Sequence, residues 1–124
     1  MIDLSGLRVF VVEDEGVVAL MIEDLLLDLG CEIAASVSQL ADACRMAPAT
    51  QADLALLDVN LGGELVFPVA EILRERKMPL VFSTGYGASG LPPKFSRYPV
   101  LAKPFSASDL QQAIALALNV EEPR

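Results

Sequence analysis

Four short apolar runs in this chain each end in a group with chemistry to offer. Leu7-Arg8-Val9-Phe10-Val11-Val12 runs into Glu13 and Asp14, and Leu54-Ala55-Leu56-Leu57 runs into Asp58. Leu80-Val81-Phe82 ends at Ser83 and Thr84, and Val100-Leu101-Ala102 ends at Lys103. If these runs are parallel strands, all their carboxyl ends face one rim, where open α/β sheets bind ligands. Glu13, Asp14 and Asp58 would then crowd together. Two unit charges about 4 Å apart repel by roughly 4 kcal/mol at an effective dielectric near 20, so the site needs protons or a cation.

Hard oxygen ligands without sulfur or imidazole suit Mg²⁺, and Mg²⁺ draws phosphate. Lys103 supplies a point positive charge for one phosphoryl oxygen, and the Thr84 hydroxyl bonds a second. One carboxylate is left for covalent work. Aspartate accepts phosphoryl groups as an acyl phosphate, a reaction governed by positioning and charge neutralisation. Asp58 stands alone on its strand end beside the Asn60-Leu61-Gly62-Gly63 turn, which makes it the candidate nucleophile.

The elements that must position these groups alternate along the chain. The first strand is followed by a helix from Glu15, with Val18, Met21, Ile22, Leu25, Leu26 and Leu29 three or four apart and Gly30 at its end. A short second strand, 31–36, leads to a helix that Ser38 is expected to cap and Pro48 to stop. After the run into Asp58, Val66, Val69, Ala70 and Leu73 line a third helix. The stretch from Ala88 to Tyr98 holds Gly90, Pro92 and Pro93 and offers at most one helical turn, so any surface there is expected to be mobile. A last helix starts at Ser106, with Asp109 placed for a capping box. Five strand–helix alternations call for a parallel sheet covered on both sides. A flavodoxin-like, doubly wound α/β fold with strand order 2-1-3-4-5 would put the first and third strands side by side, with the fourth helix short or weak.

Composition narrows the function. The chain has 124 residues, enough for one domain spanning 1–124, and 53% of them are hydrophobic against 21% charged. Its net charge of −8 argues against an autonomous nucleic-acid binder, which needs a basic footprint. With no histidine, His-based triads and His-ligated zinc are excluded. No apolar run reaches membrane-span length and no signal peptide opens the chain, so a cytoplasmic location is expected. Cys31 and Cys44 read as free thiols. Gly85-Tyr86-Gly87-Ala88-Ser89-Gly90 matches G-x-G-x-x-G, but Leu91-Pro92-Pro93 replaces the helix a dinucleotide would need.

As a set, Glu13-Asp14, Asp58, Thr84 and Lys103-Pro104 resemble, in order and spacing, a response-regulator receiver domain of two-component signalling. Phe82-Ser83-Thr84-Gly85-Tyr86 is similar to the subgroup whose fourth strand ends Phe-Ala-Thr-Gly-Tyr. The resemblance covers essentially the whole chain. It implies that Asp58 takes a phosphoryl group from a histidine kinase or histidine phosphotransfer protein. It further implies that Asp14, Asp58 and the backbone carbonyl of Asn60 ligate Mg²⁺ with Glu13 close by or acting through water, and that the Lys103–Pro104 bond is cis. The chain departs from the pattern at Glu13, where many members have Asp, and at Val100, where many have Tyr or Phe. Coupling through a rotating aromatic therefore does not carry over, and Tyr86 and Tyr98 are the tyrosines at hand.

The expected function is a stand-alone phosphoacceptor, not an enzyme beyond its own phosphotransfer and dephosphorylation. It would act by contact with a downstream protein or as a phosphate shuttle or sink. Two rivals stand beside this reading. One is a binding module that keeps the fold without phosphorylation. The other is an aspartyl-phosphate phosphatase, which would need a second acid where Asn60 stands.

Overall fold

The computed structural model describes residues 3–85 and 91–119 of the chain. Tyr86 and the rest of the glycine-rich stretch to Gly90 lie outside the described residues. The elements, in order, are β1 (Arg8–Val12), α1 (Gly16–Asp28), β2 (Glu32–Val37), α2 (Leu40–Met46) and β3 (Leu54–Asp58). There follow β4 (Asn60–Leu61), β5 (Glu64–Leu65), α3 (Phe67–Glu75), β6 (Leu80–Thr84), a 3-10 turn (Pro93–Phe95), β7 (Val100–Ala102) and α4 (Ala107–Leu118).

The main sheet has the order β2-β1-β3-β6-β7, parallel throughout. This is the flavodoxin-like 2-1-3-4-5 order, once the two-residue strands β4 and β5 are set apart as a separate ribbon. Side chains alternate between faces along a strand. Phe10, Val12, Ala55 and Leu57 accordingly pack with α2 and α3 on one face. Val9, Val11, Leu54 and Leu56 pack with α1 and α4 on the other. Both faces are covered, which is why β1, β3 and β6 read as unbroken apolar runs.

Local chemistry sets two helix ends. Gly30 takes φ +89°, a conformation that costs glycine little, and its N–H donates to Leu27 O at 3.0 Å to close α1. Ser106 accepts from Asp109 N at 3.1 Å while Asp109 Oδ2 accepts from Ser106 N at 2.9 Å, completing the expected capping box of α4.

Two expectations are corrected. Ser38 does not cap α2: the N-cap is Gln39, one residue later, and it makes no side-chain cap bond. From the preceding position the Ser38 side chain is out of step with the open N–H groups of the first turn. The predicted stripe of α1 also departs at one residue. Ile22 and Leu26 are buried and Val18, Leu25 and Leu29 pack against the same cluster, whereas Met21 is 41% exposed. Met21 lies at the edge of the stripe, where a flexible side chain turns outward at little cost.

Between β6 and β7 the described residues hold only the 3-10 turn, in keeping with a short or weak fourth helix. This turn is nevertheless anchored. Phe95 is buried, stacks on Phe67 at 5.6 Å and meets Phe82 edge-on at 5.5 Å, and Lys94 pairs with Glu71 at 2.9 Å. Tyr98 is buried against the same cluster. Phe95 and Tyr98 thus tie this segment to the core, while Pro93, Lys94, Ser96 and Arg97 stay exposed.

Candidate functional site

Parallel pairing brings the predicted groups to one rim. Val12 pairs with Leu57, so the next residues, Glu13 and Asp58, come level on adjacent strands. Asp58 pairs with Ser83, and Thr84 with Ala102, just before Lys103. Lys103 N donates to Thr84 O at 3.0 Å, which fixes where the lysine stem begins, and the Lys103–Pro104 bond is cis.

The carboxylates do crowd. One oxygen from each of Glu13, Asp14 and Asp58 lies within 4.8 Å of the others. Glu13 is 1% exposed and Asp58 5%, while Asp14 is half-buried. Lys103 Nζ lies 2.9 Å from Glu13 Oε1 and 3.2 Å from Asp58 Oδ2, bridging the two buried acids. The opposite oxygens are held by the backbone: Glu15 N donates to Glu13 Oε2 at 3.1 Å, and Asn60 N to Asp58 Oδ1 at 3.3 Å.

Electrostatics divides the acids. Burial first, then the Asp14 carboxyl and the Glu13 charge, push Asp58 up to about 7 against the pull of Lys103. Asp14 is held below its ordinary value: burial works against this, but hydrogen bonds with Asp58 and Glu13 outweigh it. Lys103 is raised. Burial opposes its charge, and the Glu13 and Asp58 carboxylates more than offset that. Asp58 thus keeps its proton to a higher pH than an isolated carboxyl, while Asp14 gives its own up earlier.

The site opens as a cavity of about 280 Å³ lined by Asp14, Glu15, Asp58, Asn60, Gly62, Thr84, Gly85 and Lys103. Every predicted site residue except Glu13 lines it, and Glu13 sits beneath, against Lys103. Glu15 and Gly62 also line it, although the sequence marks the first only as a helix start and the second only as part of a turn. Gly62 takes φ +64°, and a side chain there would point to within 3.8 Å of Asp14 Oδ2. Gly62 and Gly63 (φ +98°) form the tight turn joining β4 to β5, the signal being the Gly-Gly pair itself. Val100 is half-buried at the sheet edge, and Tyr98 lies in the aromatic cluster instead of facing the cavity.

An all-oxygen set of three carboxylates, one of them carrying a proton it would not hold as an isolated side chain, fits a hard divalent cation. Among the described residues no helix is long and apolar enough to cross a membrane.

The profile of the response regulator receiver domain matches residues 9–115. The solution structure of SdrG from Sphingomonas melonis Fr1 is 39% identical and aligns with a TM-score of 0.80 over 95% of this chain and 99% of that one. A receiver domain of a sensor histidine kinase from Pseudomonas aeruginosa PAO1, solved with magnesium ion coordinated in the active site cleft, shares the fold. It is 24% identical, with a TM-score of 0.79 over 94% of this chain and 100% of that one. Transcriptional regulatory protein PdtaR of Mycobacterium tuberculosis is 29% identical over 116 residues, 90% of this chain, and the chain spans 57% of the length of PdtaR.

Proposed function

We infer the function of this chain from two facts: it belongs to the response-regulator receiver family of two-component signalling, and its acids and lysine converge on one cavity. We propose that Asp58 accepts a phosphoryl group from a histidine kinase or histidine phosphotransfer protein in the cytoplasm. A carboxylate oxygen of Asp58 attacks phosphorus, the phosphorus–nitrogen bond of the donor breaks, and the leaving imidazole keeps or takes up a proton. Attack requires Asp58 in its ionised form, and Lys103 offsets the charge that gathers on the phosphoryl oxygens. Thr84, at the end of β6 and on the cavity wall, donates its hydroxyl to one of those oxygens.

Mg²⁺ suits the acids, and a receiver of this fold has been solved with magnesium in its cleft. Asp14, Asp58 and the Asn60 carbonyl would hold the ion with Glu13 close by, and when bound it supplies charge neutralisation. The chain then works as a phosphoacceptor read by another protein, not as an enzyme with a substrate to turn over.

The observation that carries this reading is the Lys103 ammonium set between Glu13 and Asp58 at the mouth of an acidic cavity. Incubation with acetyl phosphate and Mg²⁺ should give a single phosphoryl adduct by intact mass. Asp58→Asn should abolish it; an adduct that survives in the variant moves the acceptor elsewhere.

A further inference from the structure

The helix that leaves the cavity carries an apolar face the core does not use. Four of the six large apolar side chains exposed among the described residues, Val17 (83%), Leu20 (63%), Met21 (41%) and Leu27 (55%), belong to α1. At about 100° per residue, Gly16, Leu20 and Leu27 fall within about 40° of arc, with Val17, Asp24 and Met21 beside them. The core-facing stripe, Ile22 and Leu26 with Val18, Leu25 and Leu29, lies on the opposite side. Exposed apolar residues scattered singly are ordinary, but a contiguous set on one helix marks a surface that something covers.

Gly16 points the same way. It opens α1 outside the left-handed region of φ, and a Cβ added there would meet nothing within 4 Å among the described residues. Neither the backbone nor the packing of this chain therefore requires glycine, at a position where other residues hold a helix better. What the bare backbone gives is clearance beside the phosphoacceptor cavity, since the preceding residue, Glu15, stands on the cavity wall. Charge says what kind of body comes there. No lysine or arginine lies in α1, Asp24 and Asp28 are exposed along the same side, and the chain carries −8 overall. A second copy laid on this face would set like charges against each other, whereas a partner with a basic rim gains from them.

We propose that this face of α1 is the docking surface for the protein that delivers the phosphoryl group, and that the donor meets it with an apolar helix face rimmed by lysine or arginine. The assignment rests on the phosphoacceptor reading of Asp58. A phosphohistidine side chain reaches into the cavity only when the protein bearing it sits on the rim, and α1, about 20 Å long, offers it an apolar seat there. Val17 and Leu20 anchor the donor, Asp24 meets its basic rim, and Gly16 lets its backbone close on the cavity. None of these four lines the cavity, so they act on docking and leave the chemistry at Asp58 alone.

Two kinds of donor separate docking from chemistry. Acetyl phosphate needs no docking surface, so Leu20→Glu, Gly16→Leu and Asp24→Lys should take label from it within about twofold of wild type. The protein donors are the histidine kinases and histidine phosphotransfer proteins of its own cell, each purified, phosphorylated and supplied below saturation. Wild type should take label from at least one of them, and each variant should take it from that donor at least about fivefold more slowly. A smaller loss, or a wild type that accepts acetyl phosphate but no protein donor, overturns the proposal. So does a wild-type dimer in sedimentation that Leu20→Glu dissolves, which would make a second copy the occupant. Acetyl phosphate labelling also shows that each variant is folded; one that fails there is set aside and the others decide. A wild type that takes no label from acetyl phosphate overturns the phosphoacceptor reading instead.

Discussion

The Lys103 ammonium, which starts from the end of β7, lies 2.9 Å from Glu13 Oε1, a carboxylate only 1% exposed at the end of β1 on the far side of β3 and β6. It also reaches Asp58, so one cation balances two buried anions. Removing one partner of a buried ion pair strands the other. Lys103→Ala should therefore cost about 3 kcal/mol of unfolding free energy at pH 8 without divalent cation. Added Mg²⁺ should recover part of that loss. Urea melts with and without Mg²⁺ measure both, and an unchanged midpoint would show that solvent already balances these acids.

Asp58 makes the metal-free fold pH-dependent. Its value is 3.8 as an ordinary carboxylate and about 7 in the fold, so the native state binds the proton more tightly. Between pH 4 and pH 7 the unfolded chain gives up that proton first, and stability falls as pH rises. Asp58→Asn carries no charge to bury. Without divalent cation it should be more stable than wild type at pH 8, on the order of 2 kcal/mol, and the gap should close towards pH 4. Denaturant titrations at the two pH values provide the comparison; a gap that widens on acidification would reverse the sign.

Cation binding must displace the same proton. The apparent Mg²⁺ affinity should be flat above pH 8 and fall about tenfold for each pH unit below about 7. Calorimetric titrations in buffers of different ionisation enthalpy would count the proton released. An affinity independent of pH between 5 and 8 would mean that Asp58 is not a ligand.

The 3-10 turn between β6 and β7 depends on one ring. Phe95 packs against Phe67, Phe82 and Tyr98, so Phe95→Ala should destabilise the fold by about 3–5 kcal/mol. The Lys94–Glu71 pair lies at the surface, where solvent screens it, and Glu71→Gln should move the melt far less than Phe95→Ala does. A thermal melt of each variant separates packing from charge. Equal shifts would show that the segment hangs on the ion pair.

Sequence by itself determined the strand ends and what stands on them. The runs into Glu13, Asp58, Thr84 and Lys103 are local, apolar and short, and a sheet covered on both faces admits few arrangements of five such runs. The Ser106–Asp109 capping box and the Gly30 helix end were legible for the same reason: each is settled within a few residues. The inward face of α1 was legible too, since Val18, Ile22, Leu25, Leu26 and Leu29 recur three or four apart and all pack into the core, and only the tertiary structure turned Met21 outward. It also decided that Phe95 and Tyr98 pack against Phe82, and that the Lys103 ammonium settles between Glu13 and Asp58. Those contacts join residues far apart in the chain. Their geometry comes from strand register and from where a long side chain finds opposite charge, neither of which any short stretch of residues encodes.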